Sequence, residues 1–493
     1  MSMHAPSTEQ SIPLESVPDA RNDQALCVDL DQSLIATDVL WESLLVLLKL
    51  QPWLLMALPF WLLQGRAALK RRIAERVILD PSSLPYRQDV LAFLRQEKAR
   101  GRTLVLATAS DYQPAEGIAA HLGLFSEVLA SDGIVNLSGP RKQQALVSRF
   151  GEQGFDYIGD SATDLPVWSS AKRALLVDPT PRVLTNAANS STVTNVFRRE
   201  SHSIKNIVRA LRVGQWVKNV LVFLPLLASH HFVRWESVRL TAWAFLSFCL
   251  CASSIYILND LLDLPADRRH PKKKFRPFAS GVLSIRYGLA LCPILFLCAV
   301  SIATATLPSA FLSLLVLYVV TTTGYSILFK QVAILDVLIL AALYSLRVLA
   351  GGFAINVPIS AWLLAFSMFL FLSLAFTKRH LELHYRKVGK KQALERRAYQ
   401  GLDKHALGTM SVISGYLSVL VLALYINSQD VRALYQNPKA LWLACPLLLY
   451  WISRNYLLAH RGTLDDDPLV LALKDPQSYI IAVVMGLVAI FAL

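Results

Sequence analysis

The feature that most limits this 493-residue chain is a change of texture near residue 205. Beyond it, apolar residues run in stretches of about 20, the length that carries a helix through the hydrocarbon of a bilayer. Spans are expected near 216–233, 238–258, 286–304, 307–323, 333–352, 360–377, 408–427, 438–453 and 477–493, about nine in all. If the N-terminal half is cytoplasmic, the loops at 259–286, 324–332, 378–404 and 453–476 are also inside. They carry 20 Lys and Arg, against 3 outside (Arg234, Arg432 and Lys439), a strong positive-inside bias. The formal charge of +14 then belongs to one membrane face, where it suits anionic headgroups or phosphorylated substrates. Those basic residues lack the interleaved aromatic platform of a nucleic-acid binder. The six cysteines sit in apolar surroundings without a CxxC pair and read as buried small hydrophobes.

The first half is patterned differently. Residues 1–22 lack an apolar core and read as a flexible leader. In residues 23–195, the runs ALCVDLD, TLVLATAS, FDYIGDS and RALLVD each have the length of a buried strand, and helical stretches lie between them. That alternation predicts a parallel sheet covered on both faces. The stretch from Thr180 to Ser203 has little apolar periodicity and reads as the end of the domain and a linker at 196–205.

Asp29 and Asp31 follow the first apolar run. Residues two apart at a strand end point to the same side, and two carboxylates there repel unless a cation such as Mg²⁺ lies between them. A second acidic pair, Asp160 and Asp164, follows another strand, with Thr108 and Lys142 between the pairs in sequence. A hydroxyl and an ammonium are groups that hold phosphate oxygens. A lone DxD is usually a solvated turn, but the ordered set of strand-DxD, strand-Thr, Lys and strand-GDxxxD is much more specific.

This set resembles the haloacid dehalogenase (HAD) superfamily of phosphatases. The resemblance implies a Rossmannoid α/β domain with a helical cap. Asp29 would be the nucleophile that becomes an aspartyl-phosphate, and Asp31 the general acid/base. Thr108 and Lys142 would hold the phosphoryl group. Asp160 would bind Mg²⁺ with Asp29 and the Asp31 carbonyl, and Asp164 would support the metal. The cap falls at about 39–100, inside the 76 residues between Asp31 and Thr108. It is rich in Leu and Trp but is interrupted by Lys49, Gln51, Pro52 and Pro59, which disfavours a span. It either packs on its own domain or rests in the membrane interface. Trp53, Trp61 and the basic flank from Gly65 to Arg72 favour the second reading.

In the membrane half, the second expected span ends with Asn259, Asp260, Asp263 and Asp267. On a helix Asn259, Asp263 and Asp267 share a face, with Asp260 adjoining. Carboxylates at a membrane boundary are costly unless they meet cations, and Mg²⁺ with a diphosphate is a natural guest. The run from Arg268 to Pro277, with Lys272, Lys274 and Arg276, adds phosphate-binding charge, although alone it would read as an ordinary cytoplasmic loop.

This pattern resembles the UbiA superfamily of intramembrane prenyltransferases, over about 206–493. The resemblance implies an all-α polytopic domain whose aspartates Asp260, Asp263 and Asp267 bind Mg²⁺-diphosphate. The family's usual second motif, DxxxD, is missing. The matching stretch from Tyr325 to Asp336, with Lys330, offers only Asp336 as an acid. Gln215, Lys218 and Asn219, then Arg347, Lys378, Arg379 and Arg454, resemble the branch of decaprenyl-phosphate phosphoribosyltransferases. That branch implies polyprenyl phosphate and 5-phosphoribosyl 1-pyrophosphate as substrates, Mg²⁺ at both sites, and a multi-pass place in the inner membrane with both sites cytoplasmic. The expected enzyme is bifunctional: it makes the lipid phosphoribose, then removes its 5-phosphate. The rival readings are an aromatic prenyltransferase with an accessory HAD domain, a transporter or receptor with a regulatory phosphatase-like domain, and a HAD domain that serves only as scaffold.

Overall fold

A computed structural model describes residues 24–198, 204–387, 399–429, 431, 435–463 and 475–493. The leader at 1–22 and residues 199–203 of the linker at 196–205 lie outside the described residues. The chain forms two compact units. The first takes in the residues before Ile204 together with Leu261–Arg268 and Lys273–Arg286. The second holds Ile204–Asp260, Arg269–Lys272 and Tyr287–Leu493.

The first unit is built on six parallel strands, β1 (Ala25–Val28), β2 (Leu104–Asp111), β3 (Glu127–Ser131), β4 (Phe155–Gly159), β5 (Arg173–Val177) and β6 (Thr192–Phe197), in the order β3-β2-β1-β4-β5-β6. Strand alternation feeds two cores. Leu26, Val28, Leu104, Leu106 and Ile158 pack on one face, and Ala25, Cys27, Val105, Phe155 and Tyr157 on the other. Both faces are therefore apolar, and the central strands are continuous buried runs, as expected of a parallel sheet.

The four strands expected from sequence are β1, β2, β4 and β5. The two that sequence did not single out, β3 and β6, are the edges, and they are mostly half-buried. An edge strand lacks the continuous apolar run that marks a central one. The stretch from Thr180, expected to be an unpatterned domain end, instead forms a helix at Pro181–Ser190, capped by the Thr180 hydroxyl, and then β6.

Between β1 and β2 the cap consists of α1 (Val39–Leu50), a 3-10 turn (Pro52–Ala57), α2 (Leu58–Leu63) and α3 (Arg66–Ala74), followed by α4 (Gln88–Ala99) against the sheet. Leu47, Ile73 and Val77 form a small core in the cap, while Trp53, Met56, Phe60 and Leu63 stay exposed. Helices α5 (Tyr112–Leu122), α6 (Pro140–Phe150), α7 (Leu165–Ser170) and α8 (Pro181–Ser190) connect the later strands.

The second unit is helical: α9 (Ile204–Ala210), α10 (Leu224–Ala228), α11 (Trp235–Leu262, of which the first unit takes the last two residues), α13 (Ile285–Thr306, of which the first unit takes the first two), α14 (Ser309–Ile327), α15 (Leu335–Ala354), α16 (Ala361–Lys387), α17 (Asp403–Ile426), α18 (Ala444–His460) and α19 (Pro476–Ala492). The short α12 (Leu264–Arg269) lies between α11 and α13. Among the described residues, six helices are long and apolar enough to cross a membrane: α11, α13, α14, α15, α16 and α17. A bent pair, α9 with Val213–Ala228, makes a seventh if counted as one span. Nine are expected from sequence. The segments expected at 216–233, 438–453 and 477–493 are helical but broken or short. Pro225 begins α10 after a 3-10 stretch, Pro438 opens another before α18, and α19 has 17 residues. Proline lacks the N–H of a helix interior and so starts new segments.

Candidate functional site

The strand order reverses between β1 and β4, the switch point where open parallel sheets bind ligands beyond their C-terminal ends. Val28 pairs with Ile158, so Asp29 and Asp160 leave adjacent strand ends, roughly 4.8 Å apart in the pairing direction. Asp164 follows on a one-turn 3-10 helix, where its Oδ2 accepts from the Asp160 and Ser161 amides, each at 3.3 Å. A side chain at Gly159 would bring Cβ within 2.8 Å of that oxygen, so the Gly of GDxxxD is required by space.

One oxygen each of Asp29, Asp160 and Asp164 lies within 4.8 Å of the other two, the only such acidic group of three among the described residues. Lys142, from the first turn of α6, donates to Asp29 Oδ1 (2.7 Å), Asp164 Oδ1 (3.3 Å) and the Tyr157 hydroxyl (2.7 Å). Tyr157 in turn donates to Asp164 Oδ1 at 2.9 Å. Asp31 accepts from the Val39 amide through Oδ1 and from Ser110 Oγ through Oδ2, both at 2.7 Å. Thr108 is buried, and its hydroxyl accepts from the Ser110 amide at 3.0 Å.

The charges in this site are not balanced. Burial pushes Asp29 up to about 6, with Lys142 pulling down and Asp164 pushing up. Burial, then repulsion from Asp38 and Asp29, raises Asp31 to about 7, against hydrogen bonds from Ser110 and Val39. Asp160 is pushed well above the carboxylate range by burial beside Asp29 and Asp164. Burial opposes the Lys142 ammonium, but Asp29 and Asp164 outweigh it and raise its pKa. Two ammoniums, Lys142 and the mostly buried Lys70, stand among five carboxylates, Asp38 included, which leaves room in charge for a divalent cation, and converging hard oxygens suit Mg²⁺. The residues fit the ion: Asp29 and Asp160 would hold it and Asp164 would orient them. When bound it supplies charge neutralisation toward a phosphate.

All six residues read from the sequence for this site are brought together. Sequence reasoning missed Tyr157 and Ser110. Both lie two residues from a named position, on the same strand face as Gly159 and Thr108, so period-2 alternation was the available signal.

The acidic residues of the membrane half are arranged differently. Each meets a cation: Asp260 pairs with Arg212, which also lies over the Tyr256 ring at 5.2 Å, Asp263 with Lys49 at 2.9 Å, and Asp267 with Arg276 and, at 4.0 Å, Lys273. Arg212, three residues before Gln215, was missed in the sequence.

Two more groups gather named residues inside the second unit. Arg347 donates to Asn219 Oδ1 at 2.8 Å and lies among the rings of Phe248, Tyr318 and Tyr344, with Lys218 over the Tyr344 ring. Arg379, fully buried, binds Asp336 (2.7 Å), Glu382 (2.9 Å) and the Tyr325 hydroxyl (2.9 Å), while Tyr399 donates to Asp336 at 2.6 Å. Arg454 pairs with Asp475 at 2.8 Å. Gln215, Asn259, Lys330 and Lys378 are half-buried, and Lys272 and Lys274 are exposed.

A sequence model of the UbiA prenyltransferase family matches residues 220–473, just over half of the chain. The chain belongs to the UbiA prenyltransferase family. Among its relatives, the uncharacterized protein y4nM of Sinorhizobium fredii is 37% identical over 472 residues, which is 95% of this chain and 91% of that protein. The decaprenyl-phosphate phosphoribosyltransferase of Mycobacterium tuberculosis is 31% identical over 286 residues, 57% of this UbiA-family chain and 91% of its own. A solved phosphoserine phosphatase in its apo form superposes with a TM-score of 0.27 at 13% identity, over 38% of this chain and 98% of its own.

Proposed function

We propose that this UbiA-family protein is a bifunctional enzyme of the inner membrane with both sites on the cytoplasmic side. It transfers 5-phosphoribose from 5-phosphoribosyl 1-pyrophosphate to polyprenyl phosphate, then hydrolyses the 5-phosphate to leave polyprenyl-phosphoryl-ribose. The observation that carries the reading is the joining of two parts in one chain. A helical part is related to a decaprenyl-phosphate phosphoribosyltransferase, and a sheet part gathers Asp29, Asp160 and Asp164 with Lys142, and joins Asp31 to Thr108 through Ser110. The transferase product carries a phosphomonoester that the second set of residues would hydrolyse.

In the transfer, a prenyl phosphate oxygen bonds to ribose C1 as the C1–O bond to pyrophosphate breaks. In the second unit, Arg212 and the exposed Lys272 offer charge for the leaving diphosphate, and Lys218 and Arg347 offer charge for a phosphate among aromatic rings. In the hydrolysis, a free oxygen of Asp29 attacks phosphorus as the bond to the ribose C5 oxygen breaks. Asp31, whose acid form is favoured by burial, gives its proton to that leaving oxygen and then takes one from the water that cleaves the aspartyl-phosphate. Lys142 and Thr108 hold the phosphoryl oxygens.

The test is transfer of label from ribose-labelled 5-phosphoribosyl 1-pyrophosphate into the lipid phase by the purified protein with polyprenyl phosphate. Wild type should label the lipid and Asp260→Asn should fall by about 10²-fold or more. No transfer by wild type would reject the reading.

A further inference from the structure

The loop that leads from Asp31 to the cap is held from one side by residues more than 200 positions away in sequence. Glu42, in the first turn of α1, is buried, and its carboxylate accepts Arg268 Nη2 at 2.6 Å and Nη1 at 3.1 Å, a bidentate pair with both side chains under a tenth exposed. The same carboxylate takes the Thr37 hydroxyl at 2.8 Å, and the Thr37 carbonyl takes the Gln32 amide at 2.9 Å. Arg268 is itself fixed by Nε to the Ala279 carbonyl at 2.9 Å. Gly281, at φ +70°, lies so close to the loop that a Cβ there would stand 2.5 Å from the Ala36 carbonyl oxygen. Arg286 donates to Asp38 at 2.6 Å, and Asp38 caps α1 through the Leu40 amide at 3.0 Å. Helix α1 begins at Val39, whose amide holds the Asp31 carboxylate. All these residues belong to the first compact unit.

We propose that Arg268, with Gly281 and Arg286, is a positioning element for the phosphatase general acid: the segment after the aspartates Asp263 and Asp267 completes the loop that aims Asp31, so the phosphomonoesterase site is not contained in residues 23–195 alone. The inference rests on the reading of Asp31 as the acid that protonates the leaving oxygen. It gives Arg268 a role other than phosphate binding. Its guanidinium makes four hydrogen bonds, to Glu42, Ser83 and Ala279, all within the support of this loop.

A misaimed acid has a signature that general misfolding lacks. An alkoxide leaving group needs the proton, whereas p-nitrophenolate leaves without one. The experiment uses the full chain in detergent with Mg²⁺, and follows the first step alone, in single turnovers, as release of ribose from ribose 5-phosphate and of p-nitrophenolate from p-nitrophenyl phosphate; the second step, in which Asp31 acts as base, is common to both substrates. Arg268→Ala should lose about 10²-fold in the rate of ribose release, the scale of general acid catalysis, with the half-saturating concentration nearly unchanged. In p-nitrophenolate release it should lose less than about 5-fold. Gly281→Ala, which pushes the loop from another side, should show the same split, and Arg268→Lys should recover part of the loss. Equal losses on the two substrates, or no loss while Asp29→Asn is inactive, would overturn the proposal and leave the phosphatase reading standing. If wild type is no faster than Asp29→Asn on either substrate, the phosphatase reading itself has failed.

Discussion

The Lys142 ammonium stands 2.7 Å from Asp29 Oδ1, and it reaches that position from the first turn of α6, where Pro140 begins the helix. The contact puts a buried cation on the proposed nucleophile and leaves the second Asp29 oxygen for phosphorus. Removing that charge should cost most where negative charge builds up in the reaction. Lys142→Met, similar in length and uncharged, is expected to lower phosphate release by about 10²-fold or more, measured as kcat/KM on a phosphomonoester.

The acid cluster also sets a dependence on pH. Asp29 and Asp31 ionise at about 6 and about 7 in the folded protein, against an ordinary value of 3.8. A carboxyl whose folded pKa is raised favours the folded state below its unfolded pKa and loses that advantage as pH rises through the folded value. The metal-free first unit should therefore lose stability between about pH 4 and pH 7. Mg²⁺ offsets the repulsion that develops there. Thermal unfolding with and without Mg²⁺ should show a small upward shift at pH 5 and a clearly larger one at pH 8. A shift that does not change with pH would argue against a metal among Asp29, Asp160 and Asp164.

Asp336, the only acid at the place of a second aspartate motif, is bound to fully buried Arg379 and to Tyr399. The arrangement reads as a structural ion pair. Arg379→Leu would leave a buried carboxylate without its partner and should destabilise the protein by about 3–5 kcal/mol. Asp336→Leu combined with Arg379→Leu should recover much of that loss, because the pair's desolvation is then avoided. Thermal unfolding of the three variants in one detergent checks the order.

The parts legible in sequence share a physical reason. β1 and β4 are buried on both faces, so Cys27 to Asp29 and Tyr157 to Asp160 stand out as apolar runs that stop at acids. β3 and β6 were not legible because an edge strand keeps one side half-exposed and breaks the run. The spacing of Asp260, Asp263 and Asp267 marked a charged helix end, but their pairing with Arg212, Lys49 and Arg276 depends on tertiary approach and carries no local signal. The same holds for Glu42 and Arg268, 226 residues apart. Hydropathy marked the long apolar helices but not the breaks near Pro225 and Pro438, which divide segments that composition alone joins.

The most direct measurement of the two-step account is mass spectrometry of the lipid made from polyprenyl phosphate, 5-phosphoribosyl 1-pyrophosphate and Mg²⁺. The wild-type chain should accumulate polyprenyl-phosphoryl-ribose, and Asp29→Asn should accumulate the species heavier by one phosphate. If both proteins give the same lipid, the sheet unit does not act on the transferase product and the account is wrong.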